Sequence, residues 1–544
     1  MRALRLPLLL LHILPGLQFA IAAPEQHVFQ LADQRPLGTL DDGQKPLPGK
    51  PESHTLPAFL DALDVLQVEY FAVWQGIWPT GIDWTSAVIG TYVSASLSTI
   101  STSFTALSSK SKENLVNKYF SQLVASYFGQ DAFALRQEAY DDMLWVVLGW
   151  LESIKFINKH SELHYSDELW HGTQWIPAFA HRARIFWDMA SQGWDTSLCS
   201  GGMIWSPYLE PYKNAITNEL FIAASISMYL YFPGDDNTSP FSLHTGGAPG
   251  KPKDPKYLAA AVDAYKWLKN SNMTDNSGLY VDGYHISGYN KNNSSGNTRC
   301  DARNEMVYTY NQGVLLSGQR GLYEATGAKS YLEDGHALVE NVLAATGWDI
   351  SSQSPLNSSL TKWYGLGRHG VLEDTCDARG YCSQDGQTFK GIFFHHLTLF
   401  CDHLPEHLVI PEDGTFSIED EDTLAEIRKW HDAQCGKYGS WIRHNANAAL
   451  STKDDEGKFG MWWGAPSKSS PQDGEIEVEI PEQAVDYRNQ GVPEEWGKRD
   501  SSVRAEGKWI GVQDLNDRGR GRTLETQGGG VAVLRALWEV VDGR

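Results

Sequence analysis

Asp141 and Asp142 stand side by side at the head of a long, nearly all-apolar run, MLWVVLGWLESIKF. Adjacent carboxylates repel, and an apolar wall raises the cost of charging either one. If the run is a buried helix, its N-terminus favours one carboxylate as an anion. That charge and the apolar surroundings then hold the neighbouring carboxyl protonated. One ionised and one protonated carboxyl is the pair that cleavage of a glycosidic bond requires. Plain helix capping asks for the same residues, since Asp is a common N-cap and a second Asp adds to the dipole interaction. The pair alone leaves both readings open.

Other polar residues stand at the heads of apolar runs. Tyr310, Asn311 and Gln312 come from YNQG, Lys213, Asn214 and Asn218 from KNAITNE, and Asp385 and Lys390 from SQDGQTFKG. Each would serve as a cap taken singly. Gathered around the aspartates, the same amides and charges would read sugar hydroxyls. Trp205 in CSGGMIWSP and Trp462-Trp463 in GMWWG follow Gly-rich loops. Their rings are candidate stacking platforms for pyranose faces, with core packing the alternative for at least one of them.

The elements that would position these residues are helices. Strand signals are weak, and apolar runs alternate with Gly/Pro/Asn loops from residue 61 onward. An internal echo links NELFIAASISMYLYFPGD, beginning at Asn218, to NQGVLLSGQRGLYEATG, beginning at Asn311, each followed by a Tyr-Leu that opens a second helix. Repeated helix pairs must bury their faces on their neighbours. Some runs are apolar all round and others amphipathic, which predicts two layers: inner helices buried on both sides and outer helices half exposed. The expected fold is all-α, an α/α barrel over 61–544, with inner-helix N-termini ringing one end. Residues 23–60 read as a flexible leader and about 470–520 as a long irregular insertion, its RGRGR a solvated loop.

Composition narrows the partners. A net charge of −22 over 544 residues argues against nucleic acid as a partner, which would call for a basic stripe. The GxGxxG at Gly365, Gly367 and Gly370 follows no strand and opens no clear helix, so no dinucleotide is expected. His395 and His396 are adjacent and lack metal-ligand spacing, so they read as core or rim residues. No cofactor and no metal are expected, and a monomer is the expected state. Residues 1–22 read as a signal peptide cut after Ala22. Six cysteines suit an oxidising compartment, with Cys376–Cys382 the expected pair, and sequons occur at Asn237, Asn272, Asn292, Asn293 and Asn357. The charged, amphipathic C-terminal run VAVLRALWEVVDGR is not a hydrophobic anchor signal. A secreted, extracellular glycoprotein without a stable membrane anchor is expected, with cell-wall association as the alternative.

AYDDMLWVVLGWLESIKF, CSGGMIWSP, YKNAITNELF, YTYNQGVLLSGQRGLYEATG and FKGIFFHHL resemble, in order and rough spacing, glycoside hydrolase family 76. That family includes bacterial endo-α-1,6-mannanases and fungal cell-wall proteins of the Dfg5/Dcw1 type. The resemblance spans roughly 85–465. It implies an (α/α)6 barrel and a retaining mechanism without metal, with Asp141 as nucleophile and Asp142 as acid/base. The residues themselves permit retention, because side chains of adjacent residues can hold carboxyls near the roughly 5–5.5 Å that it needs. The 470–520 stretch exceeds what the family needs. With no anchor signal of the fungal wall type, the expectation is a released endo-acting enzyme on α-1,6-linked mannan. A wall transglycosidase acting on mannose-containing glycans and a non-catalytic mannan-binding protein are the alternatives.

Overall fold

A computed structural model describes residues 54–543 except 108–111, 238–248, 290–295, 357–361, 412–419, 467–477, 498–503, 506–507 and 510–513. The expected signal peptide and the sequons at Asn292, Asn293 and Asn357 lie outside the described residues, whereas Asn237 and Asn272 are exposed. In chain order the helices are α1 (Thr55–Glu69), α2 (Asp83–Thr102), α3 (Lys112–Gly129), the single turn α4 (Ala132–Leu135), α5 (Tyr140–His164), α6 (Ile176–Ala190), α7 (Ala215–Tyr231) and α8 (Pro255–Asn270). They continue with α9 (Thr309–Thr326), α10 (Ser330–Ala345), the short α11 (Thr375–Arg379), α12 (Gln384–Cys401), α13 (Glu421–Gly436), α14 (Gly439–Ser451) and α15 (Leu524–Leu537).

Helices α2, α5, α7, α9, α12 and α15 each pack on the next, and α15 returns to α2 to close a ring. Outside them lie α1, α3, α6, α8, α10 and α14, with α13 beside α10 and α12. This is the expected (α/α)6 barrel. The composition of each layer follows from its position. In α7, AITNELFIAASISMYLY, every residue except Ser227 and Tyr231 is buried, because other helices cover all sides. In α8 only the stripe Tyr257, Leu258, Ala261, Ala264, Tyr265 and Leu268 is buried, at the three- and four-residue spacing of one helical face. Asp254 caps α8 by accepting from Lys256 N, and Pro255 fills the first helical position, where no N–H is needed. The TQGGG entrance of α15 has a packing reason: a Cβ on Gly391 of α12 would stand 3.0 Å from Gly529 Cα, so two bare backbones let these inner helices touch.

The ordered domain starts earlier than 61. α1 begins at Thr55 and buries Leu56 and Phe59. Pro57, which reads as part of a Pro-rich leader, sits in the first turn, where its missing N–H costs no helical bond. Small strands line the rim. β1 (Tyr212–Asn214), β2 (Val281–His285) and β3 (Ala302–Val307) form an antiparallel sheet in that order, with Lys213 opposite Tyr284 and Tyr284 opposite Arg303. β1 runs straight into α7, and β3 leads to α9. Two hairpins follow, β4 (Trp348–Asp349) with β5 (Ser354–Pro355), and β6 (Gly367–Arg368) with β7 (Val371–Leu372). The GxGxxG therefore belongs to a tight hairpin, with Gly367 at φ +146° and Gly370 at φ +77°. His395 and His396 are both buried in α12, as core histidines. Among the described residues no helix is long and apolar enough to cross a membrane.

All six cysteines are paired: Cys376–Cys382 as expected, with Cys199–Cys300 and Cys401–Cys435. Cys199–Cys300 joins residues 101 apart, so its removal as the Cys199→Ala/Cys300→Ala double variant is expected to cost about 2–4 kcal/mol through unfolded-chain entropy. Denaturant titration measures this loss. An unchanged midpoint, or a free thiol at any of the six positions in a non-reducing peptide map, would contradict the pairing.

Candidate active site

The N-terminus of α5 opens at the rim of the ring. Ala139 precedes it with extended backbone, and Asp142 Oδ2 accepts the Ala139 N–H at 3.2 Å, the return half of a capping box. Capping is thus one of the things Asp142 does. Asp141 does something else: it is 5% exposed, takes a hydrogen bond from the Trp205 indole, and faces the Arg488 guanidinium, with Nη2 3.9 Å from its Oδ2. Trp205 is held in place by its own carbonyl, which accepts Tyr140 N at 2.9 Å, and Arg488 lies over its ring at 5.0 Å.

The two carboxyls are driven apart in acidity. Burial pushes Asp141 up to about 6, against the opposing pull of Arg488 and of the hydrogen bonds it accepts. Burial also raises Asp142 well above the ordinary carboxylate range, and the charge of Asp141 beside it adds to the rise. Asp141 is the member that ionises first and Asp142 the one that keeps its proton. The residues alone ask for one ionised and one protonated carboxyl without saying which is which.

Further groups converge through Arg488. Its charge interacts with Tyr310 on α9, Asp282 on β2, Asp141 on α5 and Asp385 on α12. Asp385 accepts from the Trp84 indole at 3.2 Å, and Trp84 stacks on Trp145 with centroids 6.0 Å apart. Tyr310 stacks on Phe389 at 3.9 Å, and its hydroxyl has no hydrogen-bond partner among the described residues. Asp282 accepts from Tyr212 Oη at 2.6 Å and from Asn304 Nδ2 at 3.2 Å. The neighbouring Asn311 is fully buried, with its amide unpartnered among the described residues.

Four of the expected sugar-reading residues turn out to be scaffold. Asn218 Oδ1 accepts Met203 N at 2.7 Å, and its Nδ2 donates to Asn214 O at 2.7 Å and Met203 O at 3.3 Å. Gln312 likewise accepts Tyr280 N and donates to Tyr280 O, both at 2.8 Å. Gln387 and Gln527 occupy the same fourth position in α12 and α15, with Gln387 donating to Gly521 O and Gln527 accepting Phe459 N. An amide on the first turn of an inner helix clasps a rim segment, because that segment's backbone groups are buried and must be paired. The echo is therefore one residue out of register: Asn218 corresponds to Gln312, not Asn311. Lys390 is buried against Asp377, Nζ to Oδ1 at 2.7 Å and to Oδ2 at 2.6 Å. Trp462 is 1% exposed and packs with Ala378 and Val478, while Trp463 packs on Phe394, so neither ring is a platform. Trp205 is half-buried.

The sequence reading missed Arg488, Asp282 and Trp84. Asp282 carries a readable signal, a lone charge within the apolar-aromatic YVDGY. Arg488 carries none. It belongs to the stretch read as an irregular insertion, of which 478–497 crosses the rim as a strap. Asn304 brackets Val485 (Val485 N to Asn304 Oδ1, 2.9 Å), Tyr308 Oη donates to Asp486 at 2.8 Å, and Ser383 N donates to Asn489 Oδ1 at 2.8 Å.

The sequence model for glycosyl hydrolase family 76 matches residues 75–408, more than half of the chain. The chain is 25% identical over 239 residues to the mannan endo-1,6-alpha-mannosidase DCW1 of Candida glabrata, an alignment covering 42% of either protein. It is 27% identical over 215 residues to the mannan endo-1,6-alpha-mannosidase DFG5 of Saccharomyces cerevisiae, covering 38% of this chain and 36% of that one. The chain thus spans about two fifths of the length of the curated relatives it matches. Two solved structures share the fold. Dfg5 from Chaetomium thermophilum, in complex with glucosamine, has a TM-score of 0.52 at 14% identity, with 90% of this chain and 91% of that chain covered. An inactive variant of the α-1,6-mannanase GH76A of Salegentibacter sp. HEL1_6, with two aspartates replaced by alanine and alpha-1,6-mannotetrose bound, has a TM-score of 0.50 at 17% identity, with 90% and 100% covered. The closed double ring of helices and the match across more than half of its length agree: the chain belongs to glycosyl hydrolase family 76.

Proposed function

We propose that the protein is a retaining, endo-acting glycosidase for α-1,6-linked mannan. The observation that carries this reading is the buried Asp141–Asp142 pair with the Arg488 guanidinium 3.9 Å from Asp141, where burial raises Asp141 to about 6 and Asp142 further, so that the pair can hold a single proton between them. Asp141 attacks the anomeric carbon while Asp142 protonates the departing glycosidic oxygen. Asp142, now ionised, then takes a proton from water as the water releases the sugar from Asp141. The choice of mannan rests on the family and on the relatives named mannan endo-1,6-alpha-mannosidase. Tyr208 and Leu209, exposed on the loop that carries Trp205, offer an apolar lane for further sugars.

A second reading, transfer of the glycosyl group to another sugar, is favoured by the burial of Asp141 under the strap, which restricts water at the covalent intermediate. Product analysis separates the two. Incubation with linear α-1,6-mannan is expected to give shorter α-1,6-mannooligosaccharides with the anomeric configuration kept. Products that appear only when a sugar acceptor is added would establish transfer instead of hydrolysis. No cleavage and no transfer under either condition would overturn the proposal.

A further inference from the structure

The strap arginine makes an unusual set of contacts. Arg488 is largely buried, its side chain 15% exposed, yet among the described residues its guanidinium donates no hydrogen bond. Its interactions are the 3.9 Å approach to Asp141, the Trp205 ring at 5.0 Å, and the electrostatic pull of Tyr310, Asp282 and Asp385. A buried cation with unused donors is costly unless it serves a nearby charge. The chain invests heavily in placing it. Four anchors hold the strap on either side of Arg488: Asn304 at Val485, Tyr308 at Asp486, His285 at Tyr487, and Ser383, whose N–H donates to Asn489 and whose hydroxyl donates to the Arg488 carbonyl. The anchors come from β2, β3 and the segments leading into α9 and α12, so the arginine is fixed relative to most of the rim.

We propose that Arg488 is a positioning residue that holds Asp141 in its charged form and in its attacking orientation, so that the strap, absent from the barrel's repeating plan, completes the catalytic pair. This rests on the reading of Asp141 as the nucleophile. The groups that face Asp141 are Asp142 on its own helix, with Glu138 just before it, the Trp205 indole, Tyr310 on α9 and Arg488 itself. Asp282 on β2, with Glu219 of α7 behind it, and Asp385 on α12 share the same guanidinium. Burial is what works against the ionisation of Asp141, and Arg488 is the cation that opposes it.

The sign follows. An adjacent cation favours the carboxylate, so its loss shifts Asp141 protonation to higher pH, by about 1–3 units for a directly neighbouring arginine. The acid limb of kcat/KM on α-1,6-mannan should therefore move upward in Arg488→Gln, and Arg488→Lys should recover part of the shift. A merely structural or sugar-binding role would lower the rate or raise KM without moving the limb. The activity-free readout is the 13C titration of Asp141 in the full-length protein, assigned by its absence in Asp141→Asn. An upward shift in Arg488→Gln, partly reversed in Arg488→Lys, supports the proposal. Superimposable titrations of wild type and Arg488→Gln overturn it. If wild type fails to act on mannan, the proposed function fails, and the carboxyl titration still decides the role of Arg488.

Discussion

Asp141→Asn is expected to bring activity down to background on every glycosyl substrate, whatever its leaving group, because the amide cannot form the covalent intermediate. Asp142→Asn is expected to behave differently. It removes the proton donor, so cleavage of mannan should fall by about 10²–10⁴-fold. A fluoride leaving group needs no proton, so the first step on an α-mannosyl fluoride should survive. The second step then stalls, since water has lost its base. Both variants should fold. Asn keeps an acceptor for the Ala139 N–H that Asp142 now takes, and Asn at 141 keeps an acceptor for the Trp205 indole. The wild-type pH profile follows from the same pair. Activity should rise as Asp141 loses its proton near pH 6 and fall as Asp142, raised further, loses its own. Initial rates of the three proteins on both substrates test this. Because turnover of the fluoride stalls at the second step, the discriminating quantity is its first-turnover burst of fluoride release: a burst slowed in Asp142→Asn as much as mannan cleavage would remove the acid/base role.

The second large effect is on stability. Lys390 and Asp377 form a buried ion pair, their side chains 3% and 0% exposed. Asp377 Oδ2 also accepts Asp374 N at 3.0 Å, and Asp374 in turn accepts Thr309 N at 2.9 Å and Thr309 Oγ1 at 2.7 Å. The chain Lys390–Asp377–Asp374–Thr309 sets the first residue of α9, which is next to Tyr310. Lys390→Met leaves an uncompensated carboxylate in the core and should cost about 3–5 kcal/mol. Adding Asp377→Asn removes the orphaned charge and keeps an acceptor for Asp374 N, so the double variant should be more stable than the single one. Urea titration of the three proteins measures this. A Lys390→Met midpoint equal to that of wild type would show that the pair does not hold the α9 entrance.

The fold was legible because burial writes itself into composition. A helix enclosed on all sides, such as α7, has no polar face, while α8 keeps one, and two layers follow from that contrast. Asp141 and Asp142 were legible because two acids at the head of an apolar run are costly without a use. The amides were misread because clasping a backbone and reading a sugar ask for the same side chains, and sequence does not say what the amide faces. Asn218 and Gln312 face Met203 and Tyr280, and every polar atom of their side chains is used there. Trp462 was misread for a related reason, since a Gly-rich approach fits a buried ring as well as an exposed one: a Cβ on Gly464 would stand 3.2 Å from the Trp462 indole nitrogen. Arg488 was invisible because its partner lies in α5, far away in the chain, and the strap has neither the period of a helix nor that of a strand.

The central claim is that Asp141 carries the sugar and Asp142 moves the proton. The most direct measurement is the mass of intact Asp142→Asn protein after mixing with an α-mannosyl fluoride, followed by peptide mapping of the adduct. The account predicts one added mannosyl residue that persists and maps to Asp141, and no adduct in Asp141→Asn. An adduct on Asp142 in the Asp141→Asn protein would reverse the roles. Near-normal turnover of mannan by both variants would reduce the pair to helix caps and contradict the account.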